Sequence, residues 1–180
     1  MLKKHCFFKN SFNFASWRVM ALGLICLFSL LPSAVAEPTF TRSEAFGDWL
    51  LQCFTVEIKK GQQQERCSLT QGVGTEKVKL IASLSVVKES KKQLLRLTVP
   101  LGISLSHEVS MKSTTGLGDM KWLTCINSGC LAEKTLDTAL IKKLAGKKKL
   151  ILTVKTLKDK RDLILQFSLK GLAQGIAKTK

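Results

Sequence analysis

The chain has 180 residues, with 29 Lys and Arg against 13 Asp and Glu, and its formal net charge is +16. It contains no tyrosine, and aromatic residues make up 7% of it. So few rings offer little surface for base stacking and disfavour a nucleic-acid partner. The positive charge instead favours anionic partners such as glycans, lipopolysaccharide and acidic lipids.

Residues 1–36 have the organisation of a cleavable signal peptide. Four basic and no acidic residues precede an apolar run at 19–31, and an Ala-x-Ala site follows at 34–36. We predict cleavage after Ala36 and no transmembrane helix in the mature protein. The run is shorter than the roughly 20 residues that cross a bilayer, which disfavours the alternative of an uncleaved anchor. A lipoprotein linked through Cys26 is a third alternative, and the bulky Ile25 before it disfavours that.

The mature chain is predicted to consist of a loose lead at 37–45 and a single domain at 46–180. It retains 25 of the 29 basic residues and all 13 acidic ones, which leaves a net charge of about +12. Removing 36 of 180 residues leaves 144, a length that suits one domain.

Four cysteines remain after cleavage: Cys53, Cys67, Cys125 and Cys130. In an exported domain they indicate two disulfides, for which three connectivities exist. Spacing favours Cys53–Cys67 and Cys125–Cys130. A zinc site made of all four is the rival, which their spacing and an oxidising compartment disfavour.

Both favoured disulfides fit β-hairpins. A two-residue turn at 127–128 would place Cys125 opposite Cys130 as a non-hydrogen-bonded pair. Symmetry about Lys60 would place Cys53 opposite Cys67, with the polar stretch between them forming an exposed loop that turns near Gly61.

Alternation of apolar and polar residues dominates the rest and predicts strands. It covers residues near 49–53, 80–86, 95–99, 150–155 and 163–169, and the last two should form a hairpin. Leucines at every fourth position predict one inserted helix at about 136–145, with Thr135 as its cap and Gly146 closing its end. A short helix is also predicted near 172–177. These elements fit an antiparallel β-sandwich.

No residue pattern indicates catalysis. The mature chain has one histidine, His107, which a hydrolase would combine with Ser104 or Ser110 and an acid such as Asp119. No G-x-S-x-G motif marks a nucleophile. We therefore predict a protein that is not an enzyme and needs no cofactor or metal, with a hydrolase using His107 as a weaker alternative.

Basic residues cluster in the last third of the chain. The candidate anion-binding surface consists of Lys142, Lys143, Lys147, Lys148, Lys149, Lys155, Lys158, Lys160 and Arg161. The predicted fold could bring the group at 142–149 next to the group at 155–161. The alternative interpretation is that these lysines only solubilise the protein and protect strand edges.

Four segments together resemble the invasion-associated locus B family of Gram-negative bacteria. They are Phe-Gly-Asp-Trp-Leu-Leu-Gln-Cys at 46–53, Val-Pro-Leu-Gly-Ile-Ser-Leu at 99–105, Gly-Cys-Leu-Ala at 129–132 and Phe-Ser-Leu-Lys-Gly-Leu at 167–172. The resemblance implies an exported protein with an immunoglobulin-like β-sandwich. It also implies an association with entry into host cells, notably erythrocytes.

We accordingly expect an envelope or secreted protein that aids invasion by binding, located in the periplasm, at the outer membrane or outside the cell. The resemblance supplies no receptor and no catalytic residues. The alternative function is a periplasmic structural or accessory factor without host contact, because the family also occurs in bacteria that invade nothing.

Overall fold

Alternating apolar and polar residues form most of the strands in the computed structural model, which describes residues 38–76, 78, 80–112 and 117–179. The predicted signal peptide at 1–36 lies outside these residues. The described elements are β1 (Thr39–Phe46), β2 (Trp49–Lys59), β3 (Gln62–Val73), β4 (Ala82–Glu89), β5 (Lys92–Val99), β6 (Ser110–Lys112), β7 (Lys121–Ile126), β8 (Gly129–Thr135), α1 (Thr138–Leu144), β9 (Lys149–Lys155), β10 (Asp162–Ser168) and α2 (Leu172–Ile176).

The strands form two antiparallel sheets that share one core. The larger sheet has the order β1-β2-β3-β4-β5-β8-β7, and the smaller one has the order β10-β9-β6. Leu84 and Leu97 face each other in the larger sheet, Leu152 and Phe167 belong to the smaller one, and none of the four is exposed to solvent. The predicted mainly β, antiparallel sandwich with a short inserted helix is confirmed.

Two disulfides close hairpins within the larger sheet, as predicted. Cys53 lies opposite Cys67 with their Cα atoms 4.0 Å apart, and Cys125 lies opposite Cys130 at 3.9 Å. Because every one of these sulfurs is bonded to another sulfur, the four-cysteine zinc site is excluded. The disulfides also indicate an oxidising, exported location.

Two predictions about the N-terminal part are wrong. Residues 39–45 belong to β1, which pairs with β2, rather than to a loose lead. The stretch between Cys53 and Cys67 is not a loop, because β2 runs to Lys59 and β3 starts at Gln62. Cross-strand hydrogen bonds therefore continue far past the disulfide into an exposed β-ribbon.

The inserted helix is shorter than predicted and begins later. Its cap is Asp137, whose carboxylate accepts a hydrogen bond from the Leu140 amide at 2.7 Å, whereas Thr135 is the last residue of β8. Leu140 and Leu144 are buried against the core, and Gly146 follows with a left-handed φ of 74°. The short C-terminal helix is confirmed as α2.

The first and last of the four segments that resemble the family meet where the two sheets join, at a contact called here the sheet junction. The Trp49 indole donates to the Ser168 carbonyl at 2.9 Å, and the Gln71 side chain bridges the Asp48 carbonyl and the Ser168 amide at 2.9 and 2.8 Å. Gly171 lies directly beneath the Phe46 carbonyl. These contacts give the two segments a structural role.

No helix among the described residues is long and apolar enough to cross a membrane.

Candidate anion-binding surface

Five lysines surround the end of α1 and the start of β9. This helix-end cluster consists of Lys142, Lys143, Lys147, Lys148 and Lys149, and all five are exposed. The chain leaves the helix at Ala145, and the left-handed Gly146 completes a turn that the Lys147 amide closes by donating to the Leu144 carbonyl at 3.1 Å. The chain has no acidic residue from position 138 to position 158. The cluster is thus a concentrated patch of positive charge.

A second basic group, the hairpin cluster, surrounds the turn between β9 and β10. It consists of Lys155, Lys158, Lys160 and Arg161. Lys155 pairs with Asp162 at 2.6 Å, and Arg161 pairs with Asp159. Two of its four cations are therefore balanced locally.

Asp159 and Asp162, the two carboxylates that pair with the hairpin cluster, stay charged down to low pH. Hydrogen bonds from Thr156 and Arg161 lower the pKa of Asp159 to about 2. The hydrogen bond from Lys155 lowers the pKa of Asp162. The turn therefore keeps its internal ion pairs through the whole neutral and mildly acidic range.

The two clusters lie at opposite ends of β9, so the prediction that the fold brings them together is wrong. This strand extends from Lys149 to Lys155. Six steps of a β-strand span about 20 Å. The candidate surface therefore divides into two separate surfaces, and each must be considered by itself.

Sequence analysis missed an apolar feature beside the hairpin cluster. Leu101, Leu105 and Leu157 are 59%, 48% and 62% exposed, respectively. The loop and the turn that carry them are joined by backbone hydrogen bonds, from the Ser104 amide to the Lys155 carbonyl at 2.8 Å and from the Leu157 amide to the Gly102 carbonyl at 2.7 Å. In the sequence these leucines are indistinguishable from core residues, because composition does not reveal which leucines lie beyond the strand ends.

The histidine ring hydrogen-bonds directly to none of its predicted partners among the described residues and reaches Ser104 only through Ser106. His107 lies in an exposed turn, where its Nδ1 is 3.0 Å from the Ser106 hydroxyl, and Ser106 in turn is 2.9 Å from Ser104. Asp119 lines a groove, next to Met120, which forms a β-bridge with Val109. Among the described residues, no hydrogen bond links the histidine ring to Asp119 or Ser110.

The groove that contains Asp119 has a volume of about 460 Å³ and mixed charge. Lys134 donates to the Asp119 carbonyl at 3.2 Å, and Glu133 binds Arg96, which also pairs with Glu89 at 2.6 Å. Burial opposes the charge of Arg96, but hydrogen bonds to the two glutamates raise its pKa. Because the groove is lined by Asp119, Glu133 and Asp137 as well as by lysines, one of them Lys143, it is a weaker candidate for an anion site than the remainder of the helix-end cluster.

Fold and disulfides together define a disulfide-bonded β-sandwich protein with exposed groups of basic residues, and the disulfides indicate an exported location. The family model "Invasion associated locus B (IalB) protein" matches residues 49–180. The chain belongs to the invasion-associated locus B family, and the resemblance noted from the four sequence segments is confirmed.

A solved structure shares the fold. The crystal structure of invasion associated protein B from Bartonella henselae is similar with a TM-score of 0.63 and 22% sequence identity, covering 77% of this chain and 95% of that one. No protein with a curated description matches the chain significantly.

Proposed function

We propose that this protein is an exported, non-enzymatic binding module of the bacterial envelope or its surroundings that aids entry into host cells. Its contact is an anionic cell-surface or envelope component, such as a glycan, lipopolysaccharide or acidic lipid. The family assignment supports the association with invasion. Export is supported by the two disulfides and by the signal-peptide pattern of the sequence.

The observation that carries the binding role is the helix-end cluster. Its five exposed lysines lie within eight residues, in a part of the chain that has no acidic residue. Each lysine close to an anionic surface contributes about 1 kcal/mol of attraction. Such a patch steers the protein toward anionic surfaces and speeds the encounter.

Binding of the purified, disulfide-bonded protein to host cells tests this role. The triple variant Lys142→Gln, Lys147→Gln and Lys148→Gln is expected to bind about 10- to 100-fold more weakly, because three attractive charges are removed. Titration of intact erythrocytes with labelled protein at 0.15 M salt measures the affinity.

The matched control is Lys59→Gln, Lys60→Gln and Lys91→Gln, which removes the same charge from exposed turns of the larger sheet. Equal losses in both triple variants would show that only net charge matters and would contradict a site at the helix-end cluster. Complete loss of parent binding at 0.15 M salt, where charges are screened beyond about 8 Å, would contradict specific binding altogether.

A further inference from the structure

The exposed leucines and the hairpin cluster lie at the same end of β9, on a loop and a turn that are joined by backbone hydrogen bonds. The turn at 156–161 contributes Leu157, and the loop at 100–106 contributes Leu101 and Leu105. Ile103 and Thr156 form a β-bridge between the two segments, and Ile103 is buried. We call Leu101, Leu105 and Leu157 the leucine tip.

The tip is held in shape before any partner arrives. Backbone hydrogen bonds of 2.8 and 2.7 Å fasten the loop to the turn on either side of the bridge. Asp159 further fixes the turn by accepting from Thr156 and Arg161. Insertion of the leucines into an apolar medium would therefore cost little additional conformational entropy.

The charges beside the leucines indicate which kind of apolar medium the leucines would enter. With Lys155 and Arg161 paired to aspartates, Lys158 and Lys160 supply the net positive charge, and neither makes a salt bridge to a described residue. Lysines keep their ammonium groups at the headgroup level while neighbouring apolar side chains enter the acyl region. Exposed apolar side chains with lysines beside them in the same turn are complementary to the surface of an anionic bilayer.

A protein partner fits the tip less well. The segments 100–106 and 156–161 contain no aromatic residue. Energetically dominant protein contacts are enriched in Trp, Tyr and Arg, which sit in closely packed pockets. The arginine of this tip is already paired with Asp159.

We propose that the leucine tip docks the protein onto a bilayer containing anionic phospholipid, with Lys158 and Lys160 at the headgroups. This inference rests on the proposed function in taking the partner to be an anionic cell surface, and it adds a second contact about 20 Å from the helix-end cluster. The two contacts are tested by different substitutions, so that one can fail without the other.

Co-sedimentation of the disulfide-bonded protein with lipid vesicles tests the proposal. The parent is expected to bind vesicles of phosphatidylcholine mixed with phosphatidylglycerol and to bind pure phosphatidylcholine much more weakly. The double variant Leu101→Ser and Leu157→Ser is expected to bind the mixed vesicles about tenfold or more weakly, because burial of two leucines is lost.

The control variant is Leu123→Ser and Ile126→Ser, which alters two residues of β7 that are 60% and 52% exposed. It should bind mixed vesicles within about twofold of the parent, as expected for substitutions away from the contact. Equal binding of the leucine-tip variant and the parent would overturn the proposal, as would equal binding of the parent to neutral and mixed vesicles.

A spectroscopic readout keeps the test independent of any change in stability. In Leu157→Trp, brominated acyl chains of mixed vesicles should quench the fluorescence of the new indole, whereas in Leu123→Trp they should not. When Leu157→Trp is combined with the triple Gln variant at Lys142, Lys147 and Lys148, the new indole should still be quenched, even if that protein no longer binds cells. Absence of quenching at 157 would overturn the leucine tip while leaving the helix-end cluster in place.

Discussion

Replacing Gly171 by Ala is expected to lower the free energy of unfolding by about 2–5 kcal/mol. The glycine has a φ of 89°, where an L-residue with a Cβ costs about 1–2 kcal/mol. The added Cβ would also lie 1.8 Å from the Phe46 carbonyl oxygen. Because the clash is with backbone, relief requires separation of the two segments at the sheet junction, and overpacking of this kind typically costs a further 1–3 kcal/mol or so. Urea unfolding followed by circular dichroism measures the difference.

Gly61→Ala is the matched control for that experiment. Gly61 has a φ of 79°, but a Cβ there would meet no atom within 4 Å. Its substitution therefore measures the left-handed backbone cost alone, about 1–2 kcal/mol. Similar losses for both variants would contradict the close contact between Gly171 and Phe46.

Replacing Trp49 by Ala is expected to cost about 3–5 kcal/mol, the range for truncating a large buried aromatic residue. Trp49 is 1% exposed, and its indole N–H donates to the Ser168 carbonyl at 2.9 Å. The variant would leave both a cavity at the sheet junction and a carbonyl without its donor. The shift in the urea unfolding midpoint provides the measurement.

Trp122→Ala serves as the comparison, because Trp122 is half-buried and its indole donates to the exposed His107 carbonyl at 2.7 Å. Water can replace that donor, so the expected loss is about 1–2 kcal/mol. If Trp122→Ala lowered the free energy of unfolding as much as Trp49→Ala, the sheet junction would not be the main contact that stabilises the packing of the two sheets.

The parts of the fold that depend on residues close together in the sequence could be predicted from it. The hairpin registers follow from local geometry, since a two-residue turn fixes Cys125 opposite Cys130 and symmetry about Lys60 fixes Cys53 opposite Cys67. Alternation also identified which residues of β9 and β10 face the core. It could not indicate that seven strands belong to one sheet and three to the other, because periodicity reveals a strand's faces and not its neighbours.

Strand β1 was missed for a related reason. Its residues are almost all exposed, so they carry no apolar alternation, and the strand is defined by its backbone pairing with β2. The helix cap was misplaced because both Thr135 and Asp137 are good capping residues, and the end of β8 decides between them.

The sequence allowed the exposure of the basic residues to be predicted, but not the arrangement of the two clusters. Exposure of the lysines follows from their charge, whereas the separation of the two clusters depends on the direction and length of β9. The leucine tip could not be predicted, because leucines are expected to be buried. Only the three-dimensional fold shows that these three lie beyond the strand ends and are exposed.

Entry of bacteria into host cells is the measurement that tests the central claim most directly. A strain lacking this protein is complemented with the parent, with the Lys142, Lys147 and Lys148 triple Gln variant, or with the Lys59, Lys60 and Lys91 triple Gln control. We predict that the deletion strain enters erythrocytes poorly and that the parent and the control restore entry while the helix-end variant does not. Normal entry by the deletion strain would contradict a role in invasion and would favour an accessory role in the periplasm.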